Sequence, residues 1–250
     1  MEPEESGPHT TENADLPISP ERRNRYSSYA ELENGASVGS SPHEVKKTSV
    51  QFGMTAGVVL AAGRSVRMGR PKAFLPHFLP DSTFLAHLVA SAGSAGAHPV
   101  LVVGRPEDSQ LRVETLRLGG RFVENPDSAR GQLSSVIAAL DSLASSLEAI
   151  VILPVDVPVI TSAVIRELMN AAANTRAVIV RAAHHGQHGH PVLFKRAVFD
   201  ELRRADPSSG ARAVVRADPG RVLDVETGEP GVLTDIDTPE DYERIFGRPL

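Results

Sequence analysis

A short segment of the chain concentrates positive charge next to two glycines. Four basic residues lie within nine positions of one another: Arg64, Arg67, Arg70 and Lys72. Gly63 and Gly69, in the same segment, can adopt backbone angles that other residues avoid, so peptide N–H groups can converge on an anion. The apolar run that precedes them has the length and composition of a buried parallel strand. The segment therefore predicts a site for a phosphate-rich ligand at the end of a strand.

The spacing of this segment excludes two well-known phosphate loops. A Walker A loop has four residues between its glycines and a Ser or Thr after the lysine, whereas five residues separate Gly63 from Gly69 and Ala73 follows Lys72. The dinucleotide fingerprint G-x-G-x-x-G is also absent. Taken by itself, the segment is also compatible with a strand followed by a glycine turn with solvated basic residues.

Residues 60–72 resemble the signature L-A-A-G-x-S-x-R-M-G-x-x-K of nucleotidyltransferases with the glycosyltransferase-A-like fold. The resemblance is greatest to the molybdenum cofactor nucleotidyltransferases, and within them to the cytidylyl-transferring members, since the guanylyl-transferring ones more often read L-A-G-G. It implies that Arg67 and Lys72 are catalytic. It also implies that the nucleotide is bound by Leu60, Ala61, Ala62, Gly63, Ser65, Gly69 and Lys72.

A second segment, residues 125–135, has small and polar residues before a predicted helix. Backbone N–H and hydroxyl groups at a helix N-terminus suit a base, ribose or phosphate. A serine-rich capping turn is the structural alternative. The segment resembles the family pattern N-P-x-x-x-x-G-x-x-x-S, which adds four predicted nucleotide-binding residues: Asn125, Gly131, Ser134 and Ser135.

Three aspartates form the predicted metal site. Asp156 follows a buried strand between two prolines, and hard carboxylate oxygens there suit Mg²⁺, which binds by one or two carboxylates plus substrate phosphates. Its surroundings resemble the family's metal-binding P-x-D-x-P pattern; helix capping is the alternative. Asp235 and Asp237 lie two apart on one face of an extended segment that resembles the family motif D-I-D-T-P-E-D. Asp235 is the preferred second ligand, while Asp237 is equally compatible with capping the next helix.

Two further residues are predicted to bind the acceptor by resemblance alone. His190 lies in a G-H-P segment and Arg212 in a G-A-R segment, both of which the family places near its pterin-side pocket. A helix-start arginine is the alternative for Arg212. The neighbouring histidines, His184, His185 and His188, have no helical i, i+4 spacing and no thiolate partners, so we expect exposed loop residues there.

Composition limits the class of protein. The chain has 250 residues and no cysteine, so it can form no disulfide. Its formal net charge of −5 does not predict a nucleic-acid partner. No apolar run approaches the ~18 residues that a membrane span needs, and the N-terminus is acidic where a signal peptide is basic. We therefore expect a cytoplasmic protein with no membrane partner.

Residues 1–51 and 52–250 differ in composition. The first are acidic, rich in Ser and Pro and poor in spaced apolar positions, which predicts a disordered tail. The second alternate strand and helix patterns, which predicts one α/β domain with three layers and a mainly parallel, Rossmann-like sheet. The predicted strands begin at the signature segment and continue at residues 99–103, 121–124, 149–153, 177–180, 191–194, 221–225 and 231–234. Helices are predicted from Ser82 (as N-cap), from Pro106, over residues 131–146, beyond Ser162, and over residues 195–204 and 239–246, with a loop at 184–189.

The resemblance covers nearly all of residues 55–247, with its motifs in the expected order. It implies a Mg²⁺-dependent nucleotidyltransferase that transfers CMP from CTP to the phosphate of a molybdopterin-type acceptor and releases pyrophosphate. A molybdoenzyme that receives the cofactor is a further expected partner. Two departures are Val157, where the family often has Gln, and a long segment at residues 73–81. A sugar- or alditol-phosphate nucleotidyltransferase and a non-catalytic nucleotide-binding cofactor-delivery protein are the alternatives.

Overall fold

The computed structural model describes residues 54–78, 81–206 and 210–250. The predicted tail, residues 1–51, lies outside the described residues, so its predicted disorder stays a prediction. The same is true of the domain boundary at residue 52.

A seven-stranded sheet lies at the centre of the described residues, with the strand order β3-β2-β1-β4-β6-β5-β7. Six strands run in one direction, and β6 is antiparallel to both of its neighbours, β4 and β5. The predicted mainly parallel α/β sheet is therefore confirmed. The strands are β1 (Thr55–Leu60), β2 (Val100–Gly104), β3 (Arg121–Glu124), β4 (Ala149–Pro154), β5 (Ile179–His184), β6 (Gln187–Lys195) and β7 (Val222–Glu226).

Helices cover both faces of the sheet. Successive residues of β1 point to opposite faces, so Val59 packs in one apolar cluster with Phe84 and Val58 in another with Leu133. Two apolar faces on one sheet require two covering layers, as the sequence predicts. The longest described helices have 12 residues, and no helix among the described residues is long and apolar enough to cross a membrane. The helices are α1 (Phe84–Ala95), α2 (Ser109–Arg117), α3 (Gln132–Ser142), α4 (Ser162–Ala173), α5 (Phe199–Arg204), α6 (Ala211–Ala217) and α7 (Pro239–Phe246).

The histidine-rich segment is the turn of a β-hairpin, so the loop predicted over residues 184–189 is wrong. β5 ends at His184, and β6 begins at Gln187 and pairs with it antiparallel. The two connecting residues, His185 and Gly186, have φ of 50° and 74°. Two successive left-handed residues match the twist of the flanking strands, which lets two residues close the hairpin.

The strand predicted over residues 231–234 is instead a 3-10 turn, Pro230–Leu233. Pro230 has no N–H to donate to a neighbouring strand. A Cβ on Gly231 would lie 2.8 Å from Cγ2 of Val159, so the backbone packs closely there. Local packing around these residues therefore replaces the predicted strand pairing.

Two helices begin later than the sequence predicts. Helix α1 is capped by Thr83 rather than Ser82, because Oγ1 of Thr83 accepts the hydrogen bond from the backbone N–H of Ala86 at 3.2 Å. Helix α2 begins at Ser109, after the predicted start. The Asp108 carboxylate, which would cap α2, instead accepts hydrogen bonds from the side chain of Arg105. A side chain committed to a local ion pair is not available as a cap.

Two helices are also shorter than predicted. Helix α3 ends at Ser142 rather than near residue 146. Residue 195 closes β6, and a 3-10 turn over residues 196–198 follows it, so α5 begins at Phe199. Helix α7 has the predicted bounds.

A buried histidine packs among aromatic rings between helices α1 and α7 and the segment that follows residues 61–72, the signature loop. His77 is 4% exposed and its ring stacks on that of His87, with centroids 4.0 Å apart and an interplanar angle of 15°. Its other ring contacts include Phe84 and Phe246. Burial, and then the neighbouring His87, lowers the pKa of His77 to about 2. The ring of His77 is therefore packed as a neutral imidazole at neutral pH.

This burial predicts acid sensitivity of the fold. The unfolded chain binds a proton at His77 near pH 6.5, whereas the folded protein does not until about pH 2. The unfolded state therefore gains protons first as pH falls below 6.5, and stability decreases by about 1.4 kcal/mol per pH unit from this group alone. We expect His77→Phe to reduce the loss of thermal midpoint between pH 7.5 and pH 5, measured by calorimetry in matched buffers. An equal loss in the variant and the parent would contradict this origin.

Candidate active site

The signature loop follows β1 at the carboxyl end of the sheet. The backbone N–H groups of Met68 and Gly69 both donate to the carbonyl of Ser65 at 3.1 Å, which closes the loop as a tight turn. The Met68 side chain is buried and anchors the loop in the core. Gly69 has φ of 73°, as its position in the signature predicts, whereas the second left-handed residue is Ser65, with φ of 48°, and not Gly63. A Cβ on Gly63 would meet no atom within 4 Å, so open space lies beside it.

Lys72 lies buried at the end of this loop, and its side chain is only 8% exposed. Its backbone N–H donates to Oγ of Ser65 at 3.3 Å. Its Nζ atom lies 2.6 Å from Oδ1 of Asp237 and 3.7 Å from Oδ2 of Asp156. A buried ammonium is stable only with such counter-ions. The structure therefore brings together the predicted catalytic lysine and two of the predicted metal-binding aspartates.

Arg67 joins the same group of charges from the loop. Its Nη2 atom lies 2.9 Å from Oδ2 of Asp237, although the Arg67 side chain is 69% exposed. Each carboxylate oxygen of Asp237 thus contacts a different cation. Arg64 and Arg70, the other two basic residues of the loop, are exposed. The resemblance singled out Arg67 and Lys72 among the four, but their shared partner Asp237 lies far along the chain and is found only in the folded structure.

The aspartates are positioned by backbone contacts between two neighbouring loops. Asp156 follows β4, and its carbonyl accepts a hydrogen bond from the backbone N–H of Ile236 at 2.7 Å. Ile236 is fully buried and separates Asp235 from Asp237. Thr238 caps helix α7 and forms a reciprocal capping box with Asp241. The capping alternative for Asp237 is therefore wrong: its carboxylate is left for Lys72 and Arg67.

The carboxyl groups have opposite electrostatic environments. The hydrogen bond from Lys72, together with Arg67, holds the pKa of Asp237 below its usual value. The pKa of Asp235 is raised, first by desolvation and then by the negative charges of Asp156 and Asp237. The Asp235 carboxylate thus experiences the negative charges of Asp156 and Asp237. A divalent cation bound between these carboxylates would relieve the repulsion. Carboxylate oxygens are hard donors of the kind that Mg²⁺ prefers.

No group of three or more His, Asp or Glu residues is arranged to hold a metal by protein ligands alone within the described parts of the chain. Mg²⁺ in many phosphate-processing sites binds through one or two carboxylates and the phosphates of a substrate. The roles of Asp156, Asp235 and Asp237 as metal ligands stay a prediction.

Asn125 is buried beside the segment that leads into α3. It is 2% exposed, and its Nδ2 atom donates to Oγ of Ser134 at 2.8 Å and to Oγ of Ser135 at 2.9 Å. Its Oδ1 atom accepts from the backbone N–H of Asp127 at 2.9 Å. Ser134 in turn donates to the carbonyl of Gly131 at 2.7 Å. The polar atoms of Asn125 and the Ser134 hydroxyl thus fix the shape of the segment, a positioning role that the sequence alone does not distinguish from ligand binding.

A cleft of about 370 Å³ connects these segments. It is lined by the signature loop, by the segment before α3 and by the two loops that contain Asp156 and Asp237. Among the predicted nucleotide-binding, catalytic and metal-binding residues, those that line it are Leu60, Ala62, Gly63, Ser65, Arg67, Lys72, Gly131, Ser135, Asp156 and Asp237. The lining also includes Val66, Ser128 and Gln132, which no sequence motif singled out. Ala61 and Gly69 instead line a neighbouring cleft of about 500 Å³ on the other side of the loop.

The predicted acceptor residues lie outside the lining of the nucleotide cleft but near Asp156. Burial lowers the pKa of His190, with the opposing influence of Asp156 and a further lowering by Arg212. The Nδ1 atom of His190 is buried and has no hydrogen-bond partner within the described residues. A Cβ on Gly189 would lie 2.0 Å from the carbonyl oxygen of Val232, which explains the glycine before His190. His185 and His188 are exposed as predicted, whereas His184 is partly buried and its Nδ1 contacts the Thr227 carbonyl.

The chain belongs to the MobA-like NTP transferase family. Its residues 57–222 match the family described as "MobA-like NTP transferase domain". It is 30% identical to the purine catabolism protein PucB of Bacillus subtilis (strain 168) over 204 residues, which cover 76% of this chain and 94% of that protein. It is 31% identical to a probable molybdenum cofactor guanylyltransferase of Opitutus terrae over 195 residues, 76% of this chain and 93% of the relative.

Solved structures agree with this assignment. The crystal structure of Rv0371c from Mycobacterium tuberculosis H37Rv superimposes with a TM-score of 0.66 at 29% identity, covering 78% of this chain and 99% of that one. A complex of Rv0371c with manganese superimposes with a TM-score of 0.61 at 29% identity, over 78% and 98% of the two chains. The predicted family and fold are therefore confirmed, and the chain is a nucleotidyltransferase of this family.

Proposed function

We propose that the protein transfers a nucleoside monophosphate, most favourably CMP from CTP, to the phosphate of a molybdopterin-type acceptor and releases pyrophosphate. The observation that carries the proposal is the convergence of Lys72 and Arg67 with Asp156 and Asp237 in one cleft beside the signature loop. Cations for a triphosphate and carboxylates for a divalent metal are the two requirements of nucleotidyl transfer.

The reaction needs no covalent enzyme intermediate. An oxygen of the acceptor phosphate attacks the α-phosphorus in line, a new P–O bond forms, and the bond from the α-phosphorus to the bridging oxygen of the β-phosphate breaks. Pyrophosphate leaves with that electron pair. Lys72 and Arg67 offset the negative charge that builds on the α-phosphate and the departing pyrophosphate, so catalysis consists of positioning and charge stabilisation.

The divalent ion would be held by Asp156 and Asp235, with Asp237 close by. When bound, such an ion neutralises phosphate charge and orients the attack. The raised pKa of Asp235, which faces two other carboxyl groups, supports its role as a ligand. Mg²⁺ is the proposed ion; the manganese complex of Rv0371c supports a divalent site in a related chain.

The preference for CTP rests on one side chain. Ala62 lines the cleft at the position where guanylyl-transferring members more often have glycine. A methyl group there reduces the space at the wall of the cleft, which favours the smaller pyrimidine base. The relative from Opitutus terrae is named a guanylyltransferase, so the base is the part of this proposal that most needs a direct test.

The acceptor side is proposed to comprise His190 and Arg212. The exposed guanidinium of Arg212 suits a phosphate group, and the buried, unpartnered Nδ1 of His190 suits a polar heterocycle such as a pterin. A molybdoenzyme that receives the finished cofactor is the proposed macromolecular partner.

A pyrophosphate-release assay tests both substrates together. We expect release with CTP, Mg²⁺ and molybdopterin at a rate at least about tenfold above that with GTP, ATP or UTP, and Ala62→Gly should reduce this preference. Release with GTP alone among the four would replace CTP by GTP. Release with sugar or alditol phosphates but not with molybdopterin would replace the acceptor class, and nucleotide binding without turnover on any acceptor would favour a delivery protein.

A further inference from the structure

We propose that Asp237 is a positioning residue: in the free protein it is the exchangeable counter-ion of Lys72 and Arg67, and the triphosphate of the nucleotide takes its place. The inference rests on the proposed function, since the competing anion is the triphosphate of the proposed substrate. It assigns Asp237 a role that differs from that of Asp235, although both belong to the same motif.

Asp237 forms ion pairs with two cations of the signature loop. Lys72 is buried, and the oxygen nearest to its Nζ belongs to Asp237 at 2.6 Å, compared with 3.7 Å for Asp156. The second oxygen of Asp237 contacts Arg67 at 2.9 Å. One carboxylate thus bridges two cations of the signature loop, much as a phosphate group would. A ligand phosphate that contacts both cations must therefore compete with Asp237.

The Asp237 carboxylate is not needed to hold its own backbone. The N–H of Asp237 donates to Oδ2 of Asp241 at 3.1 Å, and the cap of helix α7 is formed by Thr238 with Asp241. The buried side chain of Ile236 fixes the preceding residue. Loss of the contacts to Lys72 and Arg67 therefore leaves these anchors intact, so the exchange needs no unfolding of the segment.

The two cations and their carboxylate partner all lie in the lining of one cleft. Arg67, Lys72 and Asp237 line the same cleft as Gly63 and Gly131, so an anion that enters it meets the paired cations directly. When the triphosphate takes the two cations, the Asp237 carboxylate loses its partners beside Asp156 and Asp235. An additional free carboxylate there favours a divalent cation. Binding of nucleotide and binding of metal are therefore coupled through Asp237, and by linkage each strengthens the other.

Nucleotide titration calorimetry without a metal tests the exchange. The probes are CTP and GTP, titrated separately in EDTA and in excess Mg²⁺ into the full chain. We expect Asp237→Asn to bind the nucleotide about 10-fold more tightly than the parent in EDTA, because an internal competitor has been removed. In Asp237→Asn, the ratio of nucleotide affinity in Mg²⁺ to nucleotide affinity in EDTA should be smaller than in the parent by about the same factor, because the coupling between nucleotide and metal is lost.

Asp235→Asn is the matched control. Asp235 lies two residues from Asp237, and its carboxylate forms no ion pair with Lys72 or Arg67, so this variant removes the same charge without removing a counter-ion. We expect less than about a threefold change in EDTA from this variant. Equal tightening in both variants would show a general electrostatic effect and would overturn the assignment. Weaker binding by Asp237→Asn in EDTA would also overturn it, because it would mean that the carboxylate supports the bound state.

Folding and the proposed function are controlled separately. Thermal midpoints are measured for each variant, and if Asp237→Asn does not fold, Asp237→Ser provides the same charge removal without an amide between the two cations. Failure of the parent chain to bind either nucleotide with or without Mg²⁺ would contradict the proposed function and this inference together. If the parent binds the nucleotide and Asp237→Asn does not bind it more tightly in EDTA, this inference alone is contradicted.

Discussion

Asp156→Ala is expected to reduce turnover by about 10³-fold or more while the protein remains folded. Loss of a carboxylate that anchors the divalent ion removes several kcal/mol of transition-state stabilisation. The fold should survive because the hydrogen bond from Ile236 is accepted by the backbone carbonyl of residue 156, which alanine retains. The measurement is kcat from pyrophosphate release at saturating substrate, with the thermal midpoint recorded in parallel.

The control for this variant is Asp200→Ala. Asp200 has an 83% exposed side chain on helix α5 and lies outside the cleft, so its removal should leave kcat unchanged. Activity of Asp156→Ala equal to that of the parent at limiting Mg²⁺ would show that Asp156 does not bind the metal.

Lys72→Met is expected to lower kcat by about 10²–10³-fold, the usual cost of removing one preorganised donor from a site of charge development. Methionine retains an unbranched apolar chain of similar length in the buried position, so the variant should fold. Nucleotide affinity should fall less than kcat, because the signature loop and the divalent ion still hold the phosphates. Separate measurement of kcat and of the nucleotide Kd distinguishes these effects.

Arg70→Met is the matched control for Lys72. Arg70 belongs to the same basic segment but is exposed and does not line the 370 Å³ cleft. We expect its loss to change kcat by less than about threefold. Equal losses in the two variants would mean that the loop acts as a diffuse basic patch and that Lys72 has no specific role.

The features that the sequence predicted correctly depend on local or repeated patterns. Alternating strand and helix patterns were sufficient for the mainly parallel sheet, and Thr238, Pro239 and Asp241 together marked the start of helix α7. The hairpin at His185 and Gly186 was missed because His-Gly is not one of the usual pairs of a two-residue turn, which are Asn-Gly, Asp-Gly and Gly-Gly.

The features that the sequence could not give depend on contacts between distant residues. The pairing of Lys72 with Asp237 joins two residues 165 positions apart, and only the packing of the loops shows it. The same is true of Asn125, whose motif predicts ligand contact whereas its buried amide holds Ser134 and Ser135. Motifs identified the residues of the site, and tertiary structure separated those that line the cleft from those that support it.

The most direct test of nucleotidyl transfer is the fate of the phosphates of the substrate. Two parallel reactions are run with CTP labelled in the α-phosphate or in the γ-phosphate, together with molybdopterin and Mg²⁺, and the products are separated. Nucleotidyl transfer predicts α-label in the acceptor conjugate and γ-label in pyrophosphate, in equal amounts. Transfer of γ-label to the acceptor, or α-label found only in free nucleotide, would contradict it.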